Sequence, residues 1–392
     1  RPGPPVTRST GPTHPRAVVL ISSARIRSLL RNRGQAESAL DGLGIGNLVS
    51  VFTEDREVAF EDLLVLAKHF KRPWPYLLVD AEEEWRATTH DHRTLRNMPV
   101  STEATGLLFD IVDGVFEVLE ISAELDGEGA DLPTAPTSLA VPPARGGAGL
   151  REFLGVSVED QLANPEQYAA MRLWARAVQA RGIFAFQRTM PDTGVRAFSL
   201  SVGGEAAIVT DSTDTPYARV FSMLHELVHL ALRDAGLCDL DRQSRVESYC
   251  NAVAAACLLP AHMLEEAFNK TPFIGEADED DARLKRLSRR LGASQAAVLI
   301  ALKDHHLADH ELLAQIEARR AARRPKARGG AGGPTYYDVR ISRAGSRLLR
   351  RVFDALDSRA IEAETAGAML DVKGHQLPRL REAWTEAAHS HE

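Results

Sequence analysis

Cysteine is scarce in this 392-residue chain: three are present. Cys238, Cys250 and Cys257 lie too close together for a disulfide framework, so the sequence reads as that of a protein from a reducing compartment. Cys250 and Cys257, seven residues apart, share one helical face and read as small buried packing residues, with a redox or metal role as the minority alternative. No stretch approaches the ~20 consecutive apolar residues of a membrane span. The N-terminal RPGPPVTRSTGPTHPR lacks the apolar core of a secretory signal. The expectation is a cytoplasmic protein with no membrane contact. An excess of positive charge is also missing: the formal net charge is −7, which argues against wrapping nucleic acid as the main task and leaves room only for a local basic face. What is present, 44% hydrophobic and 26% charged residues, is ordinary for a globular protein. The length predicts two or three domains.

Patterning along the chain predicts an α+β fold, mostly helical, with one small β-sheet. Residues 1–16, rich in Pro, Gly and Thr, read as a disordered tail. Residues 17–98 read as short helices (ARIRSLLRNRG, FEDLLVLAKHF) forming a degenerate helix-turn-helix-like domain, because glycines interrupt the segment that would enter a DNA groove. A plain helical bundle is the equal alternative. Residues 99–125 give an amphipathic helix, and 126–149, DGEGADLPTAPTSLAVPPARGGAG in its main part, a flexible linker or insertion. The next domain, 150–275, begins with two helices ending at Gly182. The strand-like runs IFAFQ, VRAFSLSV and EAAIV follow, and then the apolar segment VFSMLHELVHLAL. Residues 276–318 have helix-turn-helix spacing, with Gly292 at the turn and Ser294 capping the second helix. A basic flexible linker, 319–334, leads to a helical C-terminal extension, 335–392, with a turn at Asp371 to Gly374.

The segment HELVH, residues 225–229, carries the chemistry. Residues four apart on a helix share a face, with Cβ atoms about 5–6 Å apart, so His225 and His229 can offer imidazole nitrogens to one ion. Zn²⁺ suits such ligands, and Glu226 beside them is placed to act as a general base toward water acidified by the metal. The pattern arises by chance in a chain of this composition with a probability on the order of three in a hundred. Its apolar flanks bury the helix, where three polar side chains without partners would be costly.

A third ligand is sought downstream. SRVESYCNAVAAACLLP, residues 244–260, is a strong helical pattern stopped by Pro260. Glu247 opens it, and Asn251 lies one turn on. Asp234, Asp239 and Asp241 fall in the connection between the helices. Glu247 is preferred because a carboxylate on a helix is better preorganised than one in a loop, although an acid in the first turn of a helix is favoured in any case. Asn251 or Asp234 would then orient a ligand through a hydrogen bond. Tyr217, Tyr249 and His262 stand near enough in sequence to stabilise an oxyanion, yet each reads first as structural.

RVFSMLHELVHLAL followed by ESYCNAVAAACLLP resembles the metallopeptidase domain of the ImmA/IrrE family. The resemblance is specific at 216–260 and looser over LRNRG to YLLVD, DHRTLRN, LREFLGVS, WARAVQARGIFAFQ and the C-terminal GGPTYYDVRISRAGSRLLRRVFDAL, which are similar to the long form with a repressor-type helix-turn-helix before the protease. It implies His225, His229 and Glu247 as zinc ligands, Glu226 as general base, and a helix-turn-helix transcriptional repressor as the protein substrate, in stress response or mobile-element control. Val228 replaces the family's usual Gly and Cys250 its usual Ala. These changes leave the ligands intact, whereas the eroded N-terminal region counts against direct DNA binding there.

Two functions of different classes compete. One is a zinc endopeptidase acting on a repressor. The other is a DNA-binding transcriptional regulator with a structural metal site, resting on the helix-turn-helix-like stretches and the basic run at 319–328, and predicting strongly salt-dependent duplex binding. The second is weaker because a structural zinc site is usually closed by four protein ligands, and three are counted. A peptidase fold without activity is disfavoured by the intact Glu226.

Overall fold

The computed structural model describes residues 18–32, 35–45, 56–70, 77, 102–126, 137–191, 195–202, 204–232, 240–322 and 335–389. These fall into two compact units, divided between Asp110 and Ile111. As the patterning predicts, the fold is α+β and mostly helical.

In the first unit, β1 (Val18–Ile21) pairs antiparallel with β2 (Arg56–Ala59), Val18 opposite Ala59. The Ser22 hydroxyl accepts the Arg25 N–H at 3.2 Å and starts α1 (Ser23–Asn32). A 3-10 segment, Glu37–Leu43, ends at Gly44 with φ +69°, and α2 (Phe60–Phe70) follows β2. Ile21, Ile26, Leu29, Leu63, Leu66 and Phe70 form the core. The helical reading of 17–98 is therefore corrected: VVLI is a short β-branched run that finds its partner some 40 residues away, and pairing over that distance leaves no local periodicity to read. Of the glycine-interrupted segment GLGIGNLVSVFTEDREVA, residues 42–59, the start closes the 3-10 turn at Gly44, the end forms β2, and 46–55 lie outside the described residues. Residues 1–17, 46–55 and 78–101, with the tail and DHRTLRN, lie outside the described residues.

The second unit begins within α3 (Thr102–Asp126) and continues with α4 (Pro143–Leu154). Here the linker expected over 126–149 is corrected in its last third. Residues 127–136 lie outside the described residues, but Pro143, at the first helical position, starts a helix that Gly155 closes at φ +67°. The glycines that looked like linker composition are packing surface. Helices α5 (Val158–Ala163) and α6 (Gln167–Ala180) follow. Ser157 and Asp160 cap α5 reciprocally, and the Glu166 carboxylate accepts two N–H groups of the first turn of α6.

Three strands make the sheet: β3 (Ile183–Arg188), β4 (Ala197–Val202) and β5 (Glu205–Asp211), in the order β3-β5-β4. β3 runs parallel and β4 antiparallel to the central β5. Helices α7 (Pro216–Leu232) and α8 (Leu240–Leu258) come next. α7 packs on β4 and β5 and is covered by α8 and α6. α8 in turn lies against α4, where Gly147 is the contact: a Cβ there would stand 2.6 Å from Cys257 N and 2.7 Å from the Ala256 carbonyl carbon.

One buried network fixes the far end of α8. Arg151 donates to Gln161 Oε1 at 2.9 Å, to the Cys257 carbonyl at 2.7 Å and to the Ser157 carbonyl at 2.8 Å. Gln161 donates to the carbonyls of Leu258 and Leu291 at 3.0 and 2.6 Å. These are last-turn carbonyls with no partner inside their own helices.

After α9 (Ala261–Asn269), α10 (Ala277–Leu291) and α11 (Gln295–Asp304) meet at Gly292, φ +61°, and Ser294 Oγ accepts the Ala297 N–H at 3.0 Å. Turn and cap stand where the spacing predicts them. The boundary expected at 276 does not: Leu284, Leu287, Leu291, Val298 and Leu302 share one core with Trp174, Leu224 and Val253. α12 (His310–Ala322) takes the first residues of the expected basic linker, and 323–334 lie outside the described residues. The C-terminal extension forms α13 (Tyr336–Asp357), α14 (Ala363–Met369) and α15 (Leu377–His389), with the turn at Asp371, φ +54°. α13 bends at Gly345, φ +75°, where a Cβ would meet Gln179 Oε1 at 2.7 Å and the Ala185 carbonyl oxygen at 2.9 Å. Buried Glu205, on β5, accepts from Ser122 Oγ at 3.1 Å and pairs with Arg351 at 3.1 Å and Arg347 at 3.5 Å. The extension is thereby bound to the sheet.

Two opposed effects make Gly147 a test of this packing. Gly to Ala in a helix stabilises by about 1 kcal/mol, whereas overpacking against backbone costs about 1–3 kcal/mol. With a Cβ only 2.6 Å from backbone the upper end of that cost applies, a net loss of about 2 kcal/mol, and Gly147→Ala is expected to lower Tm by roughly 2–4 °C in calorimetry. An unchanged or higher Tm would mean that α4 and α8 separate freely.

Candidate metal centre

α7 is built for burial on one side and ligation on the other. Val220, Met223, Leu224, Leu227 and Val228 enter the core, and His225 and His229 repeat at four-residue spacing. His225 and Glu226 are 0% exposed and His229 3%. On α8, Val246, Cys250, Val253, Ala254 and Cys257 face the core, which leaves Glu247, 28% exposed, turned toward the two imidazoles.

The three donors converge. His225 Nε2 and His229 Nε2 are 3.0 Å apart, His229 Nε2 and Glu247 Oε1 3.0 Å, and His225 Nε2 and Glu247 Oε2 3.4 Å. In a tetrahedral zinc site with ligands at about 2.0–2.2 Å, neighbouring donors stand roughly 3.3–3.6 Å apart. The observed triangle agrees to within a few tenths of an ångström. Ligand atoms of the three residues all lie within 4.8 Å of one another, and no fourth His, Cys, Asp or Glu joins them among the described residues.

The electrostatics point the same way. Burial pulls the His229 imidazole toward neutrality, but the Cys250 thiol, Glu247 and Glu226 facing it push its pKa up to about 11. Burial raises that of the Cys250 thiol. The pocket stabilises positive charge on the imidazole side, which is what a divalent cation supplies.

Other residues singled out in the sequence are placed as follows. Asn251 is exposed and hydrogen-bonds to none of the three donors among the described residues. Burial of the alternating core positions of α8 turns it outward. Asp234 and Asp239 lie outside the described residues, as does the side chain of Asp241. The Tyr217 hydroxyl donates to the Pro165 carbonyl at 2.6 Å. That of Tyr249 bonds Thr137 Oγ1 at 2.8 Å, and His262 lines a separate cavity of about 600 Å³ with Arg151 and His305. Cys250 and Cys257 are free and buried, and Cys238 lies outside the described residues. Two contacts were missed. The Cys250 thiol faces the His229 imidazole and helps to raise its pKa, and Ser199 Oγ, on β4, donates to Glu226 Oε2 at 3.0 Å. The available signal for Ser199 was a small hydroxyl between Phe198 and Leu200 in a strand, but which helix it would face could not be read from the pattern.

Comparison with known families now adds to the geometry. Residues 178–303, from the end of α6 to α11, match the family model Peptidase_M78, described as an IrrE N-terminal-like domain. The match contains the whole donor triangle and supports a peptidase of metallopeptidase type. No curated protein matches the chain. Among the described residues no helix is long and apolar enough to cross a membrane.

If the triangle holds a cation, its members differ sharply from their neighbour Asn251. Glu247→Ala is expected to weaken zinc binding by more than about a hundredfold, beyond the 10–100-fold typical of losing a group that only orients a ligand. Asn251→Ala is expected to leave it within a few fold. Competition with a chromophoric chelator measures both, and equal effects would refute this assignment.

Proposed function

We propose that this chain, whose residues 178–303 match an IrrE N-terminal-like domain, is a zinc-dependent endopeptidase that cleaves a helix-turn-helix transcriptional repressor. The observation that carries this reading is the buried triangle of His225, His229 and Glu247 with the Glu226 carboxylate beside it. His225, His229 and Glu247 would hold Zn²⁺, as a borderline-soft ion suited to two imidazoles and a carboxylate. When bound, the ion supplies acidification of water and Lewis-acid polarisation of the peptide carbonyl.

Glu226 then has one task in two directions. Its carboxylate takes a proton from the attacking water and gives it to the leaving amine. Its full burial keeps bulk water from competing for that proton, and a buried carboxylate is more sensitive to its partners than an exposed one. Three protein donors among the described residues, rather than four, favour a catalytic over a structural role. A DNA-binding regulator with a structural metal site is for that reason the lesser reading. The buried free thiols Cys250 and Cys257 fit a cytoplasmic, reducing location, and the repressor substrate rests on the family resemblance.

The test is incubation with the helix-turn-helix repressor encoded beside this gene, with fragments identified by mass spectrometry. The parent protein is expected to carry about one zinc per chain and to cleave, to stop with a chelator, and to resume when zinc is restored. Glu226→Gln is expected to keep its zinc and lose cleavage by about 10²–10⁴-fold, the usual contribution of a general base. Undiminished cleavage by that variant removes Glu226 from the mechanism. Duplex DNA binding that falls steeply with salt, in a protein that cleaves nothing, would favour the regulator.

A further inference from the structure

The geometry points to Ser199 as the positioning residue for the Glu226 carboxylate, an inference that rests on the peptidase reading only for its kinetic consequence. Ser199 and Glu226 are both 0% exposed, and Ser199 Oγ donates to Glu226 Oε2 at 3.0 Å. The hydroxyl makes no other hydrogen bond among the described residues.

Its placement comes from the sheet. β4 is antiparallel to β5 with Ser199 opposite Ile208, so the serine backbone is held by the ladder, and α7 packs directly on this strand. Successive side chains of a strand point to opposite faces. Ser199 therefore shares a face with Ala197 and Ser201, while Phe198 and Leu200, both 0% exposed, occupy the other. Packing alone would accept an apolar residue at 199. A hydroxyl there answers a specific need: a carboxylate removed from water requires hydrogen-bond donors, and Ser199 supplies one to Oε2.

The donor and the acceptor also sit on different elements, a strand edge and a helix. The bond thus ties the base to the sheet rather than to its own helix. Its strength is that of a charge-assisted, water-excluded contact, about twice a neutral one. The Ser199 hydroxyl hydrogen-bonds Glu226 and no ligand atom of the donor triangle among the described residues, so its removal leaves the three donors in place.

Four variants, Glu226→Gln, Ser199→Ala, Ser199→Thr and the Ser199→Ala/Glu226→Gln double variant, and two readouts test this. Infrared difference spectra between the parent and Glu226→Gln isolate the Glu226 carboxylate bands. In Ser199→Ala those bands are expected to shift, and in Ser199→Thr, which keeps a hydroxyl and suits a strand, to stay near the parent position. Kinetically, Ser199→Ala is expected to lower kcat about 10- to 100-fold, as for losing a hydrogen bond to a charged group, with KM and zinc content close to the parent, Tm lower by a few °C, and Ser199→Thr largely restored. In the Glu226→Gln background the same change is expected to add no further loss, since residues acting as a unit are not additive. Unshifted carboxylate bands, kcat within twofold of the parent, or an equal loss in the Glu226→Gln background each overturn the inference, even in a protein that cleaves. Shifted bands in a protein that cleaves nothing uphold the contact and reject the peptidase reading instead.

Discussion

Three lone-pair donors brought within 3.0–3.4 Å of one another, two of them on almost wholly buried imidazoles, form an arrangement that repels itself unless something positive lies among them. That demand governs the second unit. One proton can serve only one pair of the three, and, against burial, the Cys250, Glu247 and Glu226 groups facing His229 push its pKa up, so the pocket favours positive charge. A cation satisfies all three at once. Without an ion, a proton on His229 pairs it with Glu247 across α7 and α8, and holding all three donors at this spacing requires that the two helices also be kept in register from outside.

The scaffold supplies that restraint at several points. Gly147 lets α4 approach α8 to backbone contact, and the Arg151 and Gln161 network ties the last carbonyls of α8 and α10 to α4 and α5. On the opposite side β4 and β5 support α7, and Ser199 reaches from the sheet to the acid beside the first histidine. The sheet is itself bound to the C-terminal extension through Glu205, whose partners come from α3 and α13. The donor triangle is thus the centre of a set of contacts spanning residues far apart in the chain, and none of those contacts is a loop.

Legibility differed by the range of the interaction involved. His225, Glu226 and His229 stand within one helical turn and could be read together, because helix geometry sets their relative positions before any tertiary contact forms. The same holds for Gly292 and Ser294, whose turn and cap are local. The strands β1 and β2 could not be read, since each is four residues long and is paired with the other across some 40 residues. Gly146 and Gly147 misled for a related reason. A glycine in a helix with nothing beside it and a glycine beneath another helix have the same sequence, and composition favours the linker. Asn251 shows the converse: it shares the face of Glu247 by simple spacing, but the core positions of α8 rotate it to the surface.

By itself, then, the sequence determined the two imidazoles and their acid, the helical run that carries Glu247, the three strands and the helices of the second unit apart from the start of α4, and the turn chemistry at Gly292 and Ser294. All of these follow from periodicity and local hydrogen bonding, which act over a few residues. Only the tertiary structure decided that Glu247 meets the histidines, that a strand hydroxyl holds Glu226, and that the segments at 143–149 and 276–318 belong to the same core as the site. Those outcomes depend on which surfaces can bury one another most closely, and that choice is made among all the elements at once rather than along the chain.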